Sequence, residues 1–209
     1  MSHIEKLNWR YAVKKYDASK KVSAQDLQTL KEAIRLSPSS YGLQPYKVLF
    51  VNDLKIREQL KASAWGQTQI TDASELVIFA NITDFGNPEI DSYIENIAKT
   101  RDLTAESLSG FADLMKSKIS ALPLEARDNW TSKQTYLALG NLINVAADLK
   151  IDVTPMEGFN AGEFDQILGL TEKGLHTAVI ATIGYRHEED ATQHYKKVRK
   201  SNEELFINL

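Results

Sequence analysis

The spacing of apolar residues predicts an amphipathic helix early in the chain. Leu27, Leu30 and Ile34 recur at the three- and four-residue intervals of one helix face. Ser23 precedes them as a helix N-cap, and Pro38 follows at a distance that ends the helix before it.

Near-continuous apolar runs predict the strands. They occupy residues 46–51, 76–81 and 177–184, and such runs are typical of strands that are covered on both faces. No internal repeat or linker separates these segments. We therefore expect residues 1–209 to form one α+β domain, with helices around a small mixed central sheet.

Three further segments extend this picture. Residues 88–120 are helical but more polar, and we expect an excursion packed on the main body. The longest helical pattern covers residues 124–149, and Gly140 within it predicts close helix packing, because glycine there costs about 1 kcal/mol relative to alanine. The apolar end of residues 200–209 has no partner in the predicted domain, so we expect it to wrap around another chain.

The segment that follows the long helix combines strand, turn and helix signals. Residues 151–154 are rich in β-branched side chains, and Pro155 is expected to end their ladder. Gly158 permits a turn, and Asn160 is expected to cap a helix at residues 161–168. A flat ligand could lie against the main chain here, although an ordinary strand-to-helix connection fits the same residues.

The segment at residues 10–17 carries three cations within six residues. A solvated edge strand and an anion-binding site fit this pattern equally well.

Composition limits the classes of function. The net charge of -3 and the pI of about 5.9 argue against a general nucleic-acid partner. The absence of cysteine excludes disulfides, thiolate nucleophiles and cysteine-ligated metal sites. No apolar run reaches the length of a membrane span, so we expect a cytoplasmic protein without a membrane partner.

Sequence motifs for several common chemistries are missing. The four histidines form no HExxH pattern, and we expect no metal. The chain also lacks GxSxG, a P-loop and GxGxxG, so a nicotinamide would not be held by a Rossmann fingerprint.

Four stretches, taken in order, resemble the nitroreductase family of flavoproteins. They are residues 10–17 (RYAVKKYD), 37–46 (SPSSYGLQPY), 154–159 (TPMEGF) and 197–199 (KVR). The likeness is greatest to the oxygen-insensitive NAD(P)H nitroreductases and the related flavin reductases of luminous bacteria. This resemblance implies an intertwined homodimer with FMN at the subunit interface. It also implies ping-pong hydride transfer from NADH or NADPH to nitroaromatics, quinones or related small molecules.

The same resemblance implies which residues contact FMN. Arg10, Lys197 and Arg199 would meet its phosphate, and such an anion favours several cations. Lys14 and Glu157 would tune the ring, whose N5 atom carries the chemistry, and no side chain is assigned as an acid or a base. The full FMN set is Arg10, Tyr11, Ala12, Lys14, Pro38, Ser39, Ser40, Gly42, Gln67, Gln69, Gln134, Pro155, Met156, Glu157, Gly158, Lys197 and Arg199. Tyr41 and Phe111 would contact the substrate, and residues 38–42 would reach the flavin of the other subunit.

The chain departs from the family pattern in ways that leave alternatives open. Ala12 stands where relatives usually carry a hydroxyl, and Gly42 stands where an asparagine is common. The loop at residues 66–72 is short, with Gln67 and Gln69 in place of an asparagine and a lysine. The alternatives are a non-catalytic flavin-binding or storage protein, and a sibling reductase that acts on flavins, enones or halogenated substrates.

Overall fold

The computed structural model describes residues 2–209, in which helices enclose a four-stranded sheet. The helices are α1 (His3–Trp9), α2 (Ala24–Arg35), α3 (Leu54–Ala62), α4 (Gln69–Asp72), α5 (Asn87–Arg101), α6 (Ser109–Ser120), α7 (Leu124–Asp148), α8 (Ala161–Leu168) and α9 (Asn202–Leu205). The strands are β1 (Tyr46–Val51), β2 (Glu75–Ile82), β3 (Asp152–Met156) and β4 (Leu175–Gly184). Short 3-10 turns lie at Ser40–Gly42, Glu106–Leu108, Thr171–Lys173 and Ala191–His194.

The sheet has the order β1-β2-β4-β3, with antiparallel pairing between each pair of neighbours. The predicted α+β class is confirmed, but the described strands form an antiparallel sheet rather than a mixed one. Apolar runs identify strands without encoding their direction, which the connecting helices determine. The order leaves β1 and β3 at the two edges of the sheet within the described chain.

Both faces of the sheet are covered, as the apolar runs predicted. Val77 and Phe79 of β2 belong to a core shared with α2 and α7. The alternate residues Leu76 and Ile78 belong to a second core that includes residues of α3 and α8. The two-residue periodicity of the strand sends successive side chains into opposite layers.

Local capping signals are also confirmed. The Ser23 hydroxyl accepts a hydrogen bond from the Asp26 amide at 3.0 Å, where α2 begins. The Asn160 side chain accepts one from the Glu163 amide at 3.3 Å, where α8 begins.

One local prediction is wrong. Pro155 does not end the strand, since it pairs with Ala181 inside β3. An edge strand tolerates proline because one side of its ladder needs no donor. Within the single chain, Gly140 packs against no other element, because a methyl group added there would meet no described atom within 4 Å.

Helices α5 and α6 form a third core against the start of α7. The Phe85 and Trp130 rings meet edge to face at 5.7 Å, beside buried Ile90, Ile94 and Met115. In residues 2–209, no helix is both long enough and apolar enough to cross a membrane.

Candidate functional site

Three predicted phosphate ligands come together at one end of the molecule. Arg10, Lys197 and Arg199 line a cleft of about 350 Å³ that we call the cation cleft. The Lys197 ammonium donates to the Leu7 carbonyl at 3.0 Å and to the Arg10 carbonyl. These bonds fix the chain after β4 against the end of α1.

Burial and mutual repulsion both lower the pKa values of cations in the cation cleft. Burial, and then the charge of Arg199, lowers the pKa of Arg10. Burial, and then the charges of Arg10 and Arg199, lowers the pKa of Lys197. The buried Nε of Arg10 has no hydrogen-bond partner among the described residues. Clustered positive charges with an unsatisfied donor fit an anion, and a phosphate supplies both charge and acceptors.

A guanidinium that the motifs did not identify holds the segment around Arg10. Arg186 forms a two-pronged pair with buried Asp152, with Nε–Oδ2 at 3.0 Å and Nη2–Oδ1 at 2.6 Å. The Arg186 guanidinium also lies 4.2 Å from the Trp9 ring centre and 4.4 Å from that of Tyr11. These rings flank Arg10 in sequence, so the pair positions the cation cleft. The sequence contained one sign of this pair. Asp152 lies inside a β-branched run, and an acid that is buried in a strand needs a partner.

Asp190 is a second residue that the motifs missed. Its carboxylate accepts hydrogen bonds from the amides of Lys14 at 2.8 Å and Lys15 at 3.1 Å, and from the Tyr11 hydroxyl at 3.2 Å. Burial raises the pKa of Asp190, but hydrogen bonds from Thr192, Lys14 and Lys15 outweigh that effect and lower it to about 2. Asp190 thus holds the Lys14 backbone, and the Lys14 side chain remains exposed.

The predicted loops at residues 66–69 and 155–158 are in contact. Nε2 of the Gln67 side chain donates to the Gly158 carbonyl at 2.7 Å. A methyl group at Gly158 would lie 2.7 Å from Cζ3 of the exposed Trp65, so a larger residue there would have to displace that ring. The Tyr136 hydroxyl donates to Oε1 of Glu157 at 2.6 Å, and burial together with Glu157 raises the pKa of Tyr136 to about 12. Gln69, by contrast, is buried in α4.

The loop at residues 38–42 is tied to α7 and α5. The Ser40 amide donates to Oε1 of Gln134 at 2.8 Å, and buried Gln134 donates in turn to the Trp130 carbonyl at 3.0 Å. Gly42 has a φ of +79°, and a methyl group there would lie 2.5 Å from the Tyr93 hydroxyl. Glycine therefore satisfies both the backbone conformation and the packing.

The two predicted substrate residues are neighbours. The Tyr41 and Phe111 rings meet edge to face, with their centres 6.4 Å apart. The Tyr93 hydroxyl donates to the Tyr41 carbonyl at 2.8 Å and holds this aromatic pair in place. Both rings are more than a third exposed and are therefore accessible from solvent.

The predicted site residues thus fall into three groups within one chain. Arg10, Tyr11, Ala12, Lys197 and Arg199 line the cation cleft. The strand end 155–157 lines a separate cleft of about 480 Å³ against α7, and the 38–42 loop contacts the Phe111 region.

Comparisons with known proteins identify the family of the chain. The Nitroreductase family model matches residues 7–185. A protein of Staphylococcus aureus (strain USA300) named "Putative NAD(P)H nitroreductase" is 35% identical over 212 residues, which cover 97% of this chain and 93% of that protein.

Solved structures share the fold. A putative nitroreductase of Bacillus subtilis has a TM-score of 0.88 at 19% identity, covering 99% of this chain and 98% of that one. A putative nitroreductase of Exiguobacterium sibiricum, crystallised in complex with FMN, has a TM-score of 0.83 at 17% identity, covering 100% of this chain and 98% of that one. Since the family model spans most of the sequence and the staphylococcal relative spans nearly all of it, the chain belongs to the nitroreductase family, a family of oxidoreductases.

Proposed function

We propose that this protein is an FMN-dependent NAD(P)H oxidoreductase that reduces nitroaromatics, quinones or related acceptors. The observation that carries the proposal is the cation cleft. It is lined by Arg10, Lys197 and Arg199, and the buried Nε of Arg10 has no hydrogen-bond partner among the described residues. A phosphate monoester carries about -1.5 to -2 charges near neutral pH and accepts several hydrogen bonds. It would offset the burial and the mutual repulsion that together lower the pKa values of Arg10 and Lys197.

FMN, when bound, would supply the hydride chemistry between the nicotinamide and the acceptor. The chain's own part is binding and orientation. Lys14 would supply a positive charge that favours negative charge on the ring. Glu157, whose carboxylate Tyr136 already holds, would act through its backbone amide rather than as a proton donor. Tyr41 and Phe111 would provide the aromatic surface for flat substrates.

The test begins with the purified protein. It should be yellow, and heat or acid should release FMN rather than FAD. NADH or NADPH should bleach the colour, and a quinone should restore it, which separates an enzyme from a storage protein. A nitroaromatic and an enone, each offered as the acceptor, separate the nitroreductase from its enone-reducing siblings. A colourless protein that gains no flavin spectrum with added FMN would contradict the proposal.

A homodimer is part of the proposal. The tail exposes Leu205, Phe206 and Ile207 by 58%, 61% and 83%, which is unusual for consecutive large apolar residues. Helix α7 is also open at Gly140, beside the 480 Å³ cleft, where a second copy could pack closely. Two chains could then bring the three groups of site residues into one shared site.

Deleting residues 203–209 should therefore lower the melting temperature and loosen FMN, because the partner loses an apolar contact. Thermal unfolding, flavin fluorescence and light scattering measure the three effects on stability, FMN and assembly. The control is the full-length protein with exposed Lys200 changed to Ala, which alters the same segment but keeps the apolar residues. An FMN-loaded monomer at micromolar concentration, or a truncated protein that melts like the full chain, would rule out the partner-wrapping tail.

Ping-pong kinetics are expected, because the chain offers no second nucleotide motif and both substrates would use one open site in turn. Initial rates against NAD(P)H at several fixed acceptor concentrations should give parallel double-reciprocal lines. The acceptor should also inhibit competitively against NAD(P)H. Intersecting lines without such competition would mean that both substrates bind at once.

A further inference from the structure

A polar cleft beside the sheet is not explained by the proposed oxidoreductase. It has a volume of about 470 Å³, within the range of small-molecule sites, and lies among β2, β4 and the start of α7. Its lining supplies carboxylates, amides, hydroxyls and one imidazole. None of the described residues that line it is a lysine or an arginine.

A buried amide in this cleft has an unused acceptor. Asn81 is 1% exposed, yet its Oδ1 is buried with no hydrogen-bond partner among residues 2–209. Its Nδ2 donates to Oγ1 of Thr131 at 3.0 Å, and that hydroxyl donates to the Asp128 carbonyl at 2.9 Å. In this orientation of the amide, Nδ2 is paired with Thr131 and Oδ1 is the atom left without a donor. The unpartnered atom is thus an acceptor that an external donor would satisfy.

A histidine held by a carboxylate stands next to this amide. His176 is the cross-strand partner of Asn81 in the β2–β4 ladder, so both side chains lie on one face of the sheet. Nδ1 of His176 lies 2.7 Å from Oδ2 of Asp165, and Oδ1 of that 5% exposed acid accepts from the Thr177 amide and hydroxyl. When the Nδ1–H of His176 is directed to Asp165, Nε2 is the ring nitrogen left to accept a hydrogen bond.

The charges indicate the class of ligand. Oδ1 of Asn81 and Nε2 of His176 both accept hydrogen bonds, and Asp128 and Asp165 are the charged members of the lining. Such a lining favours a cation that carries several N–H donors. A metal ion is disfavoured, because no group of three metal-ligating His, Asp or Glu side chains occurs in the part of the chain that the structure describes.

We propose that this cleft binds a small organic cation through its primary ammonium group. The Asn81 acceptor receives one N–H, the imidazole of His176 receives another, and the carboxylates stabilise the charge. The site uses none of the residues assigned to FMN or substrate. If no cation binds in this cleft, the proposed oxidoreductase activity is unaffected. If that activity is absent, cation binding in the cleft can still be tested.

The test titrates the full-length protein with 1,4-diaminobutane, and with 1,4-butanediol as the neutral analogue of similar size. Calorimetry should show saturable binding of the diamine alone, and NMR should show shifts at the Asn81 amide and the His176 ring. Asn81→Leu should abolish this binding by removing the acceptor, while FMN-dependent turnover stays unchanged.

A second variant remains informative if Asn81→Leu does not fold. Thr171 is an exposed residue of the cleft, and Thr171→Lys should weaken diamine binding by about tenfold or more through like-charge repulsion. Thr29→Lys, at an exposed threonine of α2, is the matched control and should bind the diamine normally. No saturable binding, equal binding of the diol, or equal affinity in the two lysine variants would overturn the proposal.

Discussion

Arg199→Met is expected to weaken FMN binding by about five- to 150-fold, the equivalent of about 1–3 kcal/mol for a charged hydrogen bond. The side chain is exposed, and its guanidinium donates at 2.6 Å to the carbonyl of the adjacent Val198, so little folded structure depends on it. Its charge nevertheless lowers the pKa values of Arg10 and Lys197. We therefore expect a loss of affinity for the anion without a loss of fold.

The melting temperature of the FMN-free protein should not fall in Arg199→Met. Removing Arg199 relieves repulsion on Arg10 and Lys197, so the melting temperature without FMN should stay the same or rise. The melting temperature with FMN should fall, because ligand stabilisation declines with affinity. Only a cluster built for an anion predicts this divergence, since a structural arginine would lower both values.

Lys200→Met is the matched control for Arg199→Met. Lys200 carries the same charge at the next position and does not line the cation cleft. Its removal should change FMN affinity little, and mainly at low ionic strength, where distant charges are less screened. Equal losses in the two variants would show that net charge, rather than the cleft, attracts the flavin. Fluorescence titration of the FMN-free proteins measures both.

Local structure could be predicted because its causes are local. Ser23 and Asn160 cap helices through bonds to residues three positions away, and that spacing is visible in the sequence. The apolar runs that became β1, β2 and β4 predicted strands covered on both faces for the same reason. Strand direction and the tolerance of Pro155 were not predictable in this way, because both depend on the order of strands in the finished sheet.

The cation cleft could be predicted only as a set of residues. Family motifs named Arg10, Lys197 and Arg199, but charge pattern alone left the 10–17 segment open between an edge strand and an anion site. The structure forms only an isolated bridge there, between Tyr16 and Arg186. Asp152 and Arg186 are 34 positions apart, and nothing short of the folded sheet pairs them.

That pair should have the largest single effect on stability. Asp152→Ala is expected to cost about 3–5 kcal/mol, because it leaves the Arg186 guanidinium without its buried counter-ion. Asp152 is 2% exposed, while the Arg186 side chain is 19% exposed, so water can replace only part of the lost interaction. A typical domain has about 5–15 kcal/mol of unfolding free energy, so the loss would be severe. Urea unfolding of the FMN-free protein measures it.

A double variant measures the interaction between Asp152 and Arg186 separately from the effect of each residue alone. Asp152→Ala combined with Arg186→Met should be less destabilised than the sum of the single changes, since neither charge is then left alone. The surface pair of partly exposed Lys6 and exposed Asp148 supplies the control, and Asp148→Ala should have little effect.

Loss of the pair should also reach the cation cleft. Without Asp152, the guanidinium loses the bonds that hold it against Trp9 and Tyr11, the neighbours of Arg10. FMN affinity should therefore fall in Asp152→Ala, although Asp152 is not among the residues expected to touch the cofactor. Additive single effects would mean that the two residues act independently. An unchanged FMN affinity at full folding would mean that Arg10 is held in place by the Lys197 and Asp190 contacts alone.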